Sequence, residues 1–205
     1  MKKYSGFTTD TTKSLVLDAG AFFKNFVVGT DTFDSAVAGG KLLGATKGGG
    51  EFSAVPDVRQ IEVDGVAGRA KGLEVINSWD VYLKAKVLEI KKSTIKTALC
   101  ASVESTSTSV SDYDIIQAKN SIELSDYIGN IVWVGTLSGS NDPVIIEIKN
   151  AINTDGLKLT VTDKNEAVIE MTFYGHYEQA DLNTPPFAIY YPTTTTPIVT
   201  STSTT

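Results

Sequence analysis

Apolar and polar residues alternate with a period of two along much of this chain, the signature of strands with one face buried. In "RQIEVDG", Ile61 and Val63 point one way and Gln60 and Glu62 the other. In "VIIEI", Val144, Ile146 and Ile148 share a face, and in "GLKLTVTD", Leu157, Leu159 and Val161 oppose Lys158, Thr160 and Thr162. "VIEMTFY" sets Ile169, Met171 and Phe173 against Glu170 and Thr172. "SLVL" near Leu15, "WDVYLKAKVLEI" from Trp79 and "NIVWVG" around Trp133 add three strands. Asp64-Gly65, Gly129-Asn130, Asn141-Asp142-Pro143 and Asp155-Gly156 supply turns between them.

One stretch departs from this period. "KKSTIKTALCASV" places Ile95, Ala98, Leu99 and Ser102 at helical spacing, with Ser93 or Thr94 as the N-cap. Two segments carry no period. One runs from about Gly29 to Asp57. The other is "PTTTTPIVTSTSTT" from Pro192, too poor in apolar residues to pack and expected to be disordered. The pattern predicts a mainly β protein: a β-sandwich with one short flanking helix, a long extended loop and a Thr/Ser-rich C-terminal tail. The division is a domain over residues 1–192, with the loop at 29–57 inside it, and a low-complexity tail over 193–205.

Composition narrows the class. No apolar run approaches the ~20 residues needed to span a bilayer, so no membrane partner is expected. The "MKKYSGFTTDTTKS" stretch has two lysines but no apolar segment behind them, unlike a secretory signal. A lone cysteine, Cys100, has no internal partner, which fits a reducing cytoplasm. The net charge of −6 is unevenly spread. Residues 1–104 hold 14 Lys+Arg and 12 Asp+Glu, whereas residues 105–205 hold 4 and 12. So acidic a balance opposes tight binding of a phosphate backbone.

Candidate chemistry is sparse. The glycine-rich "GKLLGATKGGGEF" invites comparison with a phosphate-binding loop, which requires G-x-x-x-x-G-K-[ST] between a strand and a helix. Here Lys41 is followed by Leu42 and Lys47 by Gly48, and the loop leads into a strand. His176 is the single histidine, set beside Tyr174 and Tyr177, and nothing places Cys100 next to it. Asp31/Asp34 and Asp112/Asp114 lack the frame of a calcium loop. No enzyme, cofactor or metal is expected; the profile is that of an assembly protein.

The run from Gly40 to Ser102 resembles the major tail proteins, or tail tube proteins, of long-tailed bacteriophages of Gram-positive bacteria. It carries a loop of the type G-x-L-x-G-x-[TS]-[KR]-G-G-x-x-F at Gly40, Leu42, Gly44, Thr46, Lys47, Gly48, Gly49 and Phe52. A strand R-x-I-x-V-D-G follows at Arg59, Ile61, Val63, Asp64 and Gly65, then a K-G hairpin at Lys71-Gly72. "GHYEQADLNTPPFAIYYP" resembles the family's closing strand. The likeness covers about Leu15–Ser102 and Ala167–Pro192.

The resemblance implies a non-catalytic virion protein made in the host cytoplasm. Its subunits form hexameric rings that stack into a tube, and DNA passes down the lumen without specific binding. The implied partners are further copies of the chain and the tail tip, tape measure and tail terminator proteins. It also implies an inter-subunit role for the loop residues Gly44, Lys47, Gly48, Gly49, Gly50, Glu51, Phe52 and Arg59. In that role Lys47, Glu51 and Arg59 pair with a neighbour and Phe52 anchors in its pocket. The charge split then suggests an acidic lumen. Two alternatives stand beside this reading. One is the inner tube of a contractile tail or phage-tail-like particle; the other is an adhesive or carbohydrate-binding β-sandwich, which needs exposed aromatic clusters.

Overall fold

A computed structural model describes residues 4–106 and 110–193. The tail expected over 193–205 therefore lies outside the described residues except for Thr193. The described residues form ten strands: β1 (Ala21–Lys24), β2 (Thr46–Gln60), β3 (Glu74–Val87), β4 (Ser102–Thr106), β5 (Asp114–Ala118), β6 (Ile128–Gly135), β7 (Val144–Asn153), β8 (Lys158–Thr160), β9 (Val168–Tyr174) and β10 (Phe187–Tyr190). Two short helices join them, α1 (Phe33–Ala38) and α2 (Lys92–Ala98).

Eight strands form one antiparallel sheet along the path β1-β6-β7-β9-β3-β2, with β10 added to β7 and β8 to β9. The sheet folds over itself, so that β1, β6, β7 and β10 face β2, β3, β9 and β8. Its main core shows this, because Phe22, Ile131 and Ile148 of one half pack with Val81, Leu83, Val87, Ile169, Met171 and Phe173 of the other. The predicted mainly β architecture with a flanking helix is what the structure has.

The turn from one layer to the other lies in β7. Its first part pairs with β6 and β10, and Ile152 and Asn153 pair with β9. Between them Asn150 adopts a left-handed backbone, φ 48°. This shifts the inward-facing parity: Ile148 and then Ala151 enter the main core. A single residue that breaks the two-residue period is the standard way for a strand to turn a corner between sheets. The Asn150 amide holds the corner by donating to the His176 carbonyl at 3.3 Å and to Glu178 at 3.0 Å.

A second apolar cluster covers the outer face of the first layer. Phe23, Phe26, Ala36 and Val132 are buried there against Val134 and Ile145. α1 supplies Ala36, and Phe33 meets Phe23 edge-on at 5.7 Å. α2 instead seats Ala98 in the main core and packs Ile95 against it.

Several sequence expectations require correction. The extended loop at 29–57 is interrupted by α1 and then replaced by β2. Thr32 and Ser35 form a reciprocal capping box that starts α1, a signal without a long apolar period behind it. β2 was hidden because its glycines mask alternation, yet it pairs with β3 from Thr46 to Gln60. The "SLVL" strand contributes only an isolated bridge from Val16 to Leu137. Ile61 and Val63 are exposed and lie past the end of β2, and Leu157, Leu159 and Val161 are also exposed. α2 begins after Lys91, which makes no side-chain cap, so neither Ser93 nor Thr94 caps it. β1, β4 and β5 are too short or too polar to have shown a period.

Candidate assembly surface

Two parts of the β2–β3 hairpin have different surroundings. Residues Tyr82–Val87 of β3 lie between β2 and β9 and belong to the folded sheet. Beyond them, β2 from about Val55 and β3 back to Glu74 pair only with each other. This two-stranded ribbon continues into the turn-rich segment 61–73 and projects past the second layer. Gln60 ties the turn by donating to the Gly68 carbonyl at 3.0 Å, and Asn77 donates to Asp57 at 3.2 Å.

The ribbon exposes apolar residues on both faces. Val58 sits opposite Ile76 on one face, and Val75 opposite Arg59 on the other. Val58 is 47% exposed, Ile76 51% and Val55 55%. β-Branched residues favour the extended backbone, which explains why a strand forms here. They do not explain its stability, since an isolated two-stranded ribbon is marginal in water without a surface to pack on. Exposed apolar side chains on such a ribbon make it the candidate interaction surface.

The glycine-rich stretch holds the opposite end of β2. The pairing register slips between Thr46 and Gly50, and Gly48 and Gly49 occupy left-handed backbone, φ 86° and 68°, inside the slip. Gly50 is extended and serves a different purpose, letting β2 approach the Phe22 ring of the facing layer. Gly44, φ 135°, lies over Val87 and Glu89.

The other residues expected to meet a neighbour have partners inside the chain. Lys47 pairs with Glu166 at 2.7 Å. Glu51 pairs with Lys84 at 3.3 Å and accepts from the Tyr82 hydroxyl at 2.6 Å. These contacts hold its carboxyl below the ordinary range, the Tyr82 hydrogen bond first and the Lys84 hydrogen bond next. The Phe52 ring packs 5.9 Å from Phe187, which in turn meets Trp79 at 5.4 Å. Arg59 alone of this group lies on the projecting ribbon, at Val75. Trp79 and Trp133 both pack against the main core, not in an exposed aromatic cluster.

The remaining candidates for chemistry are placed apart. His176 directs Nδ1 at the carbonyls of Asn150 and Tyr174, at 3.1 and 3.0 Å. Two acceptors at one nitrogen fix the proton on Nδ1. The ring meets Tyr127 edge-on at 5.2 Å, so the expected aromatic setting exists with a different tyrosine in ring contact. Cys100 lies in another cleft beside Lys24, Lys96 and Asp126, and burial raises its thiol pKa, with the Asp126 charge adding to the shift. A raised pKa makes a thiol less reactive at neutral pH. Among the described residues no group of three His, Cys, Asp or Glu side chains is arranged to hold a metal ion, and no helix is long and apolar enough to cross a membrane.

No family model matches this chain, and no curated protein matches it significantly.

Proposed function

We propose that this protein is a structural subunit that polymerises into a hollow tube, the tail tube of a long-tailed bacteriophage, through its β2–β3 ribbon. The observation that carries the reading is the ribbon itself: exposed Val55, Val58, Val75 and Ile76 on strands that beyond Trp79 pair only with each other. An arm of this kind needs a partner surface to become stable. A contact between different patches of identical copies makes a ring where its rotation closes and a filament where it does not. The order of glycine loop, R-x-I-x-V-D-G segment and K-G turn, which resembles that of tail tube proteins, spans this same hairpin. The subunit then belongs to the virion, is assembled in the host cytoplasm and surrounds the path of the genome without catalysis.

This assigns the assembly role to the ribbon and leaves the glycine loop as its hinge-side support. Val58→Asp/Ile76→Asp tests the assignment. Both side chains lie outside the core, but two like charges directly opposite each other cost the ribbon about 1 kcal/mol, so circular dichroism and thermal unfolding must first show the variant folded. Negative-stain micrographs should show rings or tubes from the parent protein and none from the variant. Normal tubes from the variant would refute the ribbon's role.

A further inference from the structure

Lys24, the last residue of β1, is firmly placed. Its backbone N–H donates to the Lys41 carbonyl at 2.8 Å, and it stands opposite Ile131 of β6. Side chains alternate along β1: Phe22 enters the main core and Phe23 the outer cluster. Lys24 is therefore on the Phe22 side, at one end of the space between the layers. There it lines a cleft of about 370 Å³, with α2 on one side and the short turn Leu124–Asp126 on another. Among the described lysines and arginines, Lys24 is the one that is partly buried and makes no ion pair. Arg59, Arg69, Lys71, Lys149 and Lys164 make none either, but all are exposed. In a chain with 24 acidic and 18 basic residues, carboxylates are not scarce. Moving an ammonium partly out of water is unfavourable unless a counter-charge replaces the lost hydration.

The groups around Lys24 are mainly donors. Ser93, Lys96 and Thr97 of α2 stand at i, i+3 and i+4, hence on one face, and all three line the cleft. The Lys96 ammonium lies 3.0 Å from Glu104, a carboxylate it shares with Lys92 at 2.6 Å. The Thr97 hydroxyl donates to the Ser93 carbonyl at 2.9 Å, whereas the hydroxyls of Ser93 and Ser102 have no partner among the described residues. Asp126 is the one carboxylate lining the cleft, and it is already engaged by Lys119 at 2.7 Å and by the Glu123 backbone N–H at 2.8 Å.

We infer that this cleft binds a terminal phosphate group, as inorganic phosphate or a small phosphate monoester. Lys24 supplies the main counter-charge, Lys96 the second, and the Ser93 and Ser102 hydroxyls donate. A monocarboxylate would leave part of this set unused; two ammoniums and two hydroxyls suit an anion with several oxygens and two charges. Bound phosphate would join β1, α2 and the chain at Ser102 across one end of the sandwich. The inference stands apart from the tube reading, since the cleft belongs to the single subunit.

The test uses the whole chain, with sodium phosphate compared against sodium chloride of equal ionic strength. Phosphate at about ten times its Kd should raise the parent's Tm by roughly 3 to 6 °C. It should also slow the reaction of Cys100, the single cysteine, which lines the same cleft, with a neutral maleimide. Lys24→Met keeps the apolar stem and removes the charge. Its Kd for phosphate should rise about tenfold or more, while in chloride it should melt no lower than the parent; a lysine with a merely structural role would give a lower Tm. Lys164→Met removes the same charge from an exposed turn and should respond as the parent does. Ser102→Ala removes one donor and no charge, and should weaken phosphate binding several-fold if Lys24→Met does not fold. Glycerol 3-phosphate, run beside inorganic phosphate, identifies the source by which binds more tightly. A parent that responds to phosphate no more than to chloride, or a folded Lys24→Met that responds as the parent does, would overturn the inference.

Discussion

Gly50 of β2 lies against the ring of Phe22 in the facing layer: a Cβ built on Gly50 would sit 2.4 Å from Phe22 Cζ and 2.3 Å from the Lys84 carbonyl oxygen. This contact draws the two ends of the sheet path, β1 and β2, together without pairing them. Beside it an apolar groove of about 300 Å³ runs between Val16, Phe22, Phe52 and Trp133. Gly50→Ala pushes a methyl group into both backbone and ring, and overpacking of this kind costs about 2 kcal/mol. Gly48→Ala meets nothing closer than 3.7 Å and suffers only the left-handed backbone, about 1 kcal/mol. Urea unfolding should rank the two in that order. Equal losses would mean that the approach to Phe22 is unimportant.

The corner at Asn150 makes a second prediction. Asn tolerates left-handed backbone and its amide also binds the His176 carbonyl and Glu178. Asn150→Val loses both features, at about 2 kcal/mol or more. Asn150→Gly keeps the backbone and should recover roughly half. A valine variant as stable as the parent would show that β7 needs no such residue to change layers.

The β4–β5 hairpin is tied to α2 by charge. Lys92 contacts Glu104 at 2.6 Å and Asp114 at 2.8 Å, and Lys96 contacts Glu104 at 3.0 Å, while most of both strands is exposed. The Lys92 hydrogen bond, followed by that of Lys96, lowers the Glu104 pKa from its ordinary 4.5. A carboxyl with a depressed folded-state pKa stabilises above its unfolded value, and the contribution is lost as pH falls through the folded one. The Lys92 pKa is raised, chiefly by Asp114 and then by Glu104, so its contribution is present below 10.5 and is lost only as pH rises through its folded-state value. The hairpin should therefore stay docked across neutral pH and loosen below about 4.5. Backbone NMR of Ser102–Thr106 and Asp114–Ala118 reads this directly. Glu104→Gln should weaken docking at neutral pH and flatten the acid response; an unchanged acid transition in that variant would assign it to other groups.

Legibility in the sequence followed burial on one face. β3, β6, β7 and β9 were recognisable because Leu83, Ile131, Ile148 and Met171 enter a core while their neighbours face outward or meet a second cluster. β2 was not, because Gly48 to Gly50 carry no side chains to alternate and serve backbone needs that only the folded sheet defines. The same glycines suggest an extended loop. The projecting element is instead the ribbon of Val55–Gln60 and its partner strand, which carries no period because Pro56 and Asp57 separate Val55 from Val58. Lys47, Glu51 and Phe52 have intramolecular partners that depend on long-range pairing with β3, β9 and β10, beyond the reach of local pattern.

Ribbon order provides a further prediction. In the free subunit, amides of Val55–Gln60 and Glu74–Ser78 should exchange fast, because local opening there breaks only ribbon hydrogen bonds. Amides of Tyr82–Val87, held on both sides, should exchange slowly. On polymerisation the ribbon should gain strong protection while the sheet changes little. Ribbon amides that stay unprotected in tubes would mean that the arm packs on nothing.

The central claim is that the β2–β3 ribbon joins subunits into a tube, and electron cryomicroscopy of the polymerised protein tests it most directly. The account predicts a hollow tube of stacked rings in which Val55, Val58, Val75 and Ile76 are buried against neighbouring subunits. A protein that forms no rings or tubes at any concentration, or a tube whose ribbons project bare into solvent, would contradict it.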